Sequence, residues 1–186
     1  MDIELKGLKF QVNDDFQLRQ FEKTDADAVF KTVQENCERL KAFMHWMTDD
    51  YSIDHVHAFI DDAESSVKKR ESCGFGIFRG IEVKGAIGFV NFDWTSRRTE
   101  LGYWISRDEE GKGLVTRASK ILISHAICEW NMNRIEIRCA TMNTRSSAVP
   151  KRLGFTLEGT LRQFAFRNGQ MHDFYVFGLL SHEWKC

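Results

Sequence analysis

The 186-residue chain holds a single proline, Pro150, and no stretch rich in proline, glycine or serine. That excludes a flexible linker and, with the length, predicts one domain over residues 1–186. No run of eighteen apolar residues occurs, so no membrane-spanning helix is expected. An excess of either charge is also missing. The 26 Lys and Arg offset 27 Asp and Glu to a net charge of -1, which argues against general nucleic-acid affinity. Met1 to Lys6 is not a basic region followed by an apolar one, so no signal peptide is expected and the location is read as cytoplasmic. The five cysteines, at 37, 73, 128, 139 and 186, are odd in number and lack a C-x-x-C pair. Neither a disulfide framework nor a zinc site is expected, and Cys73, Cys128 and Cys139 read as buried free thiols. The six histidines do not fall at ligand spacing, so no metal is predicted.

What is present is an aromatic-rich chain, with 15 Phe and five Trp, patterned as alternating strands and helices. Lys9–Val12 and Phe16–Arg19 read as a hairpin around Asn13-Asp14-Asp15. Thr24-Asp25 reads as a helix cap, with Ala28, Val29, Val33 and Leu40 at helical spacing through about Arg39. A second helix is predicted over Ile53–Arg70, with Val56, Phe59, Ile60, Ala63 and Val67 on one face. Cys73–Phe78, Gly85–Trp94 and Thr99–Ser106 alternate as strands. A helix follows from Leu114, then a strand over Arg134–Ala140 and a short helix over Thr144–Leu153 closed by Gly154. Phe155–Arg167 and Met171–Leu180 form a hairpin about Asn168-Gly169. This order predicts an α/β fold, a mixed sheet with helices on both faces.

The chemistry concentrates at Glu110-Gly111-Lys112-Gly113-Leu114-Val115, between the strand ending near Ile105 and the helix from Leu114. A helix N-terminus offers unpaired N–H groups and partial positive charge, and glycines let backbone approach a ligand closely. Such a loop suits a diphosphate. It is not a P-loop, because position 113 is Gly rather than Ser or Thr and the earlier glycine position is Ser106. Nor is it a dinucleotide fingerprint, whose third glycine would stand at Thr116. A strand-to-helix turn that uses glycine for geometry alone, and a coenzyme A cradle, both remain.

Glu100–Ile105, Glu110–Thr116 and Asn143–Phe155, in that order and spacing, resemble the GNAT N-acetyltransferase superfamily, and within it the group that acetylates N-terminal amines of ribosomal proteins. The resemblance spans about Phe16 to Trp184. It implies a mostly antiparallel sheet whose two central strands, about 99–106 and 134–140, run parallel and splay apart to admit acetyl-CoA. The family loop, Gln/Arg-x-x-Gly-x-Gly/Ala, falls on Glu110, Gly113 and Val115. The glycine matches, while the first and last positions differ. An acid beside a pyrophosphate is unfavourable unless its carboxylate points away. The resemblance implies coenzyme contacts from Ile105, Glu110, Gly111, Lys112, Gly113, Leu114, Val115, Thr116, Asn143, Ser146 and Arg152. Lys112, Arg145 and Arg152 are candidates for its phosphates.

Asn143 reads from its own chemistry as a helix N-cap, and the resemblance adds a bond to the pantetheine arm. Ser146 is the candidate donor of a proton to the departing thiolate, against a plain polar helix residue. Pro150 removes the backbone hydrogen bond to the Ser146 carbonyl, and a kink is expected there. Glu100 is the candidate base, against a surface carboxylate paired with Arg97 or Arg98. Some relatives carry a glutamate where this chain has Ala165. Met44, Trp46 and Asp49 would form an aromatic, acidic rim for a cationic acceptor, against core packing and a solvated loop. The expected activity is acetyl transfer from acetyl-CoA to a primary amine, such as a ribosomal protein's N-terminus, by direct attack. A small-molecule amine or aminoglycoside acceptor, or a non-catalytic acyl-CoA binding module, stay open, as does a homodimer.

Overall fold

The computed structural model describes residues 3–167 and 169–186, and Asn168 of the expected Asn-Gly turn lies outside them. The strands are β1 (Lys9–Gln11), β2 (Gln17–Arg19), β3 (Cys73–Arg79), β4 (Glu82–Asp93), β5 (Arg98–Ile105), β6 (Arg134–Ala140), β7 (Thr156–Arg167) and β8 (Gln170–Leu180). The helices are α1 (Ala26–Glu35), α2 (Cys37–Phe43), α3 (Ile53–Lys69), α4 (Leu114–Cys128) and α5 (Thr144–Arg152). Among the described residues no helix is long and apolar enough to cross a membrane.

The strands form one eight-stranded sheet in the order β1-β2-β3-β4-β5-β6-β8-β7. Every pairing is antiparallel except β5 with β6. On one face Leu114, Ala118, Leu122 and Ala126 of α4 bury against Phe75, Ile77, Ile87, Phe89, Leu101, Ile135 and Ile137. On the other, Val29, Val33, Leu40, Val56 and Ile60 of α1–α3 cover Phe78 and Val83. Alternation produces this sorting, since neighbouring strand residues point to opposite faces. A register shift between Ile77 and Phe78 lets Val83 face α1–α3 while Ile87 and Phe89, of the same parity, face α4.

Three expectations need correction. The first helix stops at Glu35, and Leu40 belongs to a separate helix. Asn36 makes the break: its Nδ2 donates to the Thr32 carbonyl, and its Oδ1 accepts from the Arg107 N–H at 2.8 Å and from Arg39. Asp25 precedes α1 but does not cap it with its side chain. Its carboxylate instead accepts from the Glu22 N–H and from both terminal nitrogens of Arg19. Cys128 is not a free thiol. It forms a disulfide with Cys186, because the C-terminal segment folds back along α4, where Trp184 Nε1 donates to Ser124 Oγ. Cys73 and Cys139 are buried and unpaired. On α3, Val56 and Ile60 are buried as expected, whereas Phe59 stays 44% exposed.

Candidate active site

β5 and β6 pair only at Arg98–Arg134, Thr99–Ile135 and Glu100–Glu136. Beyond Glu100 the two strands diverge, leaving Leu101 to Ile105, about 16 Å of extended chain, without a strand partner on that side among the described residues. Unpaired strand edges seek a further strand-like partner. A cleft of about 630 Å³ opens along this gap, lined by β5, the loop before α4, the start of α4 and α5, with Leu40, Phe43 and Met44 opposite.

The glycine loop sits at the cleft's mouth. Gly111 and Gly113 have φ of 74° and 73°, a left-handed geometry that side chains disfavour. A Cβ at Gly111 would meet nothing within 4 Å, so backbone conformation and not crowding requires glycine there. Gly113 is the N-cap of α4, with no side chain capping the helix. Gly113, Leu114, Val115 and Thr116 line the cleft, and among the described residues no side chain caps this helix start, an arrangement that suits an anionic diphosphate with an extended tail.

Ile105, Glu110, Gly111, Gly113, Leu114, Val115, Thr116, Asn143, Ser146 and Arg152 all line the cleft. Lys112 does not: its Nζ turns to Glu109 Oε2 at 3.2 Å, a carboxylate also held by Arg79. Arg152 donates to the Thr116 hydroxyl at 3.2 Å, so α4 and α5 present a hydroxyl and a guanidinium together. Asn143 caps α5 as expected, its Oδ1 accepting the Ser146 N–H at 3.0 Å.

Ser146 is positioned by two residues. Asn143 takes its N–H, and the Tyr103 hydroxyl donates to its carbonyl at 2.9 Å. That carbonyl is the one Pro150 leaves without a helical donor, and α5 continues through Pro150 to Arg152. Burial raises the Tyr103 phenol, so it remains a protonated donor across the working range. Cys139 lies close by, its thiol pushed up to about 11 by burial, with the Ser146 side chain partly offsetting this.

Glu100 stands outside the cleft lining, at the vertex where the strands part. Its partner is Arg138 at 3.7 Å, neither Arg97 nor Arg98, and Arg98 instead meets Asp93. Burial raises the Glu100 carboxyl, Arg138 draws it down and Glu136 pushes it up again. Met44 lines the cleft and Trp46 packs on Trp104 at its edge, ring centroids 6.2 Å apart. Asp49 stays in solvent, 88% exposed and paired with Lys41. Of the expected rim, Met44 thus lines the cleft, Trp46 touches it only through Trp104, and Asp49 does not reach it. Sequence reading missed Arg39 and Tyr103, for no local pattern marks a side chain that acts across 71 or 43 residues.

The acetyltransferase (GNAT) domain profile matches residues 15–156. YdaF of Bacillus subtilis strain 168, which carries the name of a ribosomal N-acetyltransferase, is 32% identical over 94% of this chain and 96% of its own. The ribosomal-protein-serine acetyltransferase of Escherichia coli strain K12 is 34% identical over 53% of this chain and 55% of its own. The microcin C7 self-immunity acetyltransferase MccE, solved with acetyl-CoA and AMP, superposes with a TM-score of 0.89 at 25% identity, covering 96% of this chain and 99% of its own. A strand gap that opens on a left-handed glycine loop, under a profile match across most of the sequence, settles the family: the chain belongs to the GNAT N-acetyltransferases.

Proposed function

We propose that this acetyltransferase transfers the acetyl group of acetyl-CoA to the N-terminal amine of a protein, such as a ribosomal protein, within a ternary complex. The observation that carries the reading is the gap from Leu101 to Ile105 opening onto the uncapped start of α4. The diphosphate lies on the α4 amides, and the pantetheine arm runs down the gap, pairing with β5 and with Asn143 Nδ2. The thioester then lies between the Ser146 level and the vertex at Glu100. An N-terminal amine has a pKa near 8, so a useful fraction is neutral at working pH. Its nitrogen attacks the carbonyl carbon while β5 N–H groups hold the developing oxyanion. As the C–S bond breaks, Ser146 gives its proton to the departing sulfur and regains one from solvent, while the nitrogen loses a proton through water toward Glu100, which returns it to solvent.

Direct attack is favoured over an acyl-cysteine because the nearby thiol, Cys139, is buried and held as the protonated form at neutral pH. A protein N-terminus is favoured by what YdaF and the Escherichia coli enzyme are named for. Calorimetric titration with acetyl-CoA, then a free-thiol assay against N-terminal peptides of ribosomal proteins and a set of polyamines and aminoglycosides, tests the reading. Binding with turnover on the peptides is expected. Absence of acetyl-CoA binding removes the cleft assignment, and turnover confined to small amines removes the protein acceptor.

A further inference from the structure

Glu110 occupies the loop position where an acid is least welcome beside a pyrophosphate, yet it lines the cleft. Its carboxylate is only 15% exposed and is shared between two arginines. Oε1 accepts from Arg39 Nη1, and Oε2 accepts from Arg145 Nη1. Arg39 comes from α2 on one side of the cleft and Arg145 from the first turn of α5 on the other. Arg39 Nη2 also donates to the Ile105 carbonyl, the last of β5 at the mouth, and to Asn36 Oδ1 at 3.2 Å. Its Nε is buried and, among the described residues, has no hydrogen-bond partner. Arg145 gives one nitrogen to Glu110 and is otherwise 77% exposed.

We infer that Glu110 is a positioning residue that aims Arg39 and Arg145 at the phosphates of the coenzyme, and is not itself a phosphate contact. The inference rests on the acyl-CoA reading of the cleft. Two guanidinium groups and one carboxylate leave the mouth with net positive charge. The carboxylate also freezes two long side chains before the ligand arrives, which lowers the ordering cost of binding. The uncommitted N–H groups of exposed Arg145 are the donors available to phosphate oxygens, which guanidinium forks match well, while Arg39, whose terminal nitrogens already hold Glu110 and the Ile105 carbonyl, brings its positive charge to the cleft wall. Glu110 thereby offsets the absence of the family's Gln or Arg at its own position.

The two roles predict opposite signs. If Glu110 only crowds the diphosphate with like charge, Glu110→Gln tightens acetyl-CoA binding. If it aims the arginines, Glu110→Gln raises the KM for acetyl-CoA about tenfold, while kcat with a saturating peptide acceptor changes less than about threefold. Arg145→Met, at an exposed site that tolerates substitution, raises KM similarly. The Glu110→Gln/Arg145→Met pair costs less than the sum of the singles, because the residues act as one unit. An unchanged or lower KM in Glu110→Gln overturns the inference, as does an unchanged KM in Arg145→Met or a fall in kcat that matches the change in KM. Thermal melts of each variant identify a folding defect, in which case Arg145→Met alone decides. A wild-type protein that does not bind acetyl-CoA defeats the cleft assignment instead, so the two failures separate.

Discussion

Tyr103 shows how one residue in this chain answers another. Pro150 has no N–H, so the Ser146 carbonyl loses its helical donor. The Tyr103 hydroxyl supplies the missing hydrogen bond from the neighbouring strand. Tyr103→Phe leaves that carbonyl unsatisfied in a half-buried place and is expected to cost about 1–2 kcal/mol in a denaturant melt. Because the bond fixes the backbone of Ser146, kcat falls more than KM rises. A Phe variant with wild-type kcat would show that the phenol positions nothing in catalysis. Glu100 has its own signature. Burial raises its carboxyl, so a base role places the acid limb of kcat/KM above the ordinary carboxylate range, with rate gained as pH rises through that limb. Glu100→Gln erases the limb, and a profile identical to wild type returns Glu100 to its ion pair with Arg138.

Among elements, α4 and its glycine loop decide ligand binding. Gly113→Asp places a side chain at φ 73° and a negative charge at the uncapped helix start. The backbone penalty is about 1–2 kcal/mol, small enough for the fold to survive, while acetyl-CoA affinity falls about tenfold by the loss of favourable helix-end electrostatics. Retained affinity in calorimetry, with an unchanged circular dichroism spectrum, would remove the loop from the site. β2 and α1 are tied by Asp25, which meets Arg19 at 2.6 Å. Burial opposes the Asp25 charge, but Arg19 and the Glu22 N–H outweigh it and the carboxyl is lowered. Its stabilising contribution is therefore complete above the unfolded carboxylate value and fades as pH falls through the lower folded value. Asp25→Asn is expected to lose about 2–3 kcal/mol at neutral pH and much less near pH 2, a difference that urea melts at the two pH values measure.

These elements were legible to different degrees, and physics explains why. β5, α4 and β6 carry period-2 or period-3.6 apolar patterns that depend only on neighbours in sequence, and all were readable. The capping of α5 by Asn143 is likewise a local matter. The break at Asn36 was not readable, because what holds it is the Arg107 N–H. Arg39 and Tyr103 were missed for the same reason: each acts on an atom brought near only by the completed sheet. Glu100 could be assigned to the correct strand face, yet its true partner Arg138 depended on where β5 and β6 stop pairing.

At the scale of the whole molecule, the last residues close the structure over α4. Ser181 N–H donates to the Asn133 carbonyl, Trp184 reaches Ser124, and Cys186 bonds to Cys128 at the end of α4. Spacing could not reveal this pair, since 58 residues separate the two cysteines and a strand, a helix and a hairpin lie between them. A covalent link over that span restricts the unfolded chain and is expected to contribute about 2–4 kcal/mol. The bond joins the tail to the helix whose opposite end carries Gly113, so it guards the core of the sheet's α4 face and not the cleft. Thiol titration of the denatured, unreduced protein should therefore find only Cys37, Cys73 and Cys139 reactive, with Cys128 and Cys186 appearing after reduction. Cys186→Ser should lower the thermal midpoint while leaving the KM for acetyl-CoA unchanged. Five reactive thiols before reduction would mean the tail is held by Trp184 and Ser181 alone, and a Cys186→Ser protein with altered KM would mean that strain at the tail end of α4 reaches the glycine loop.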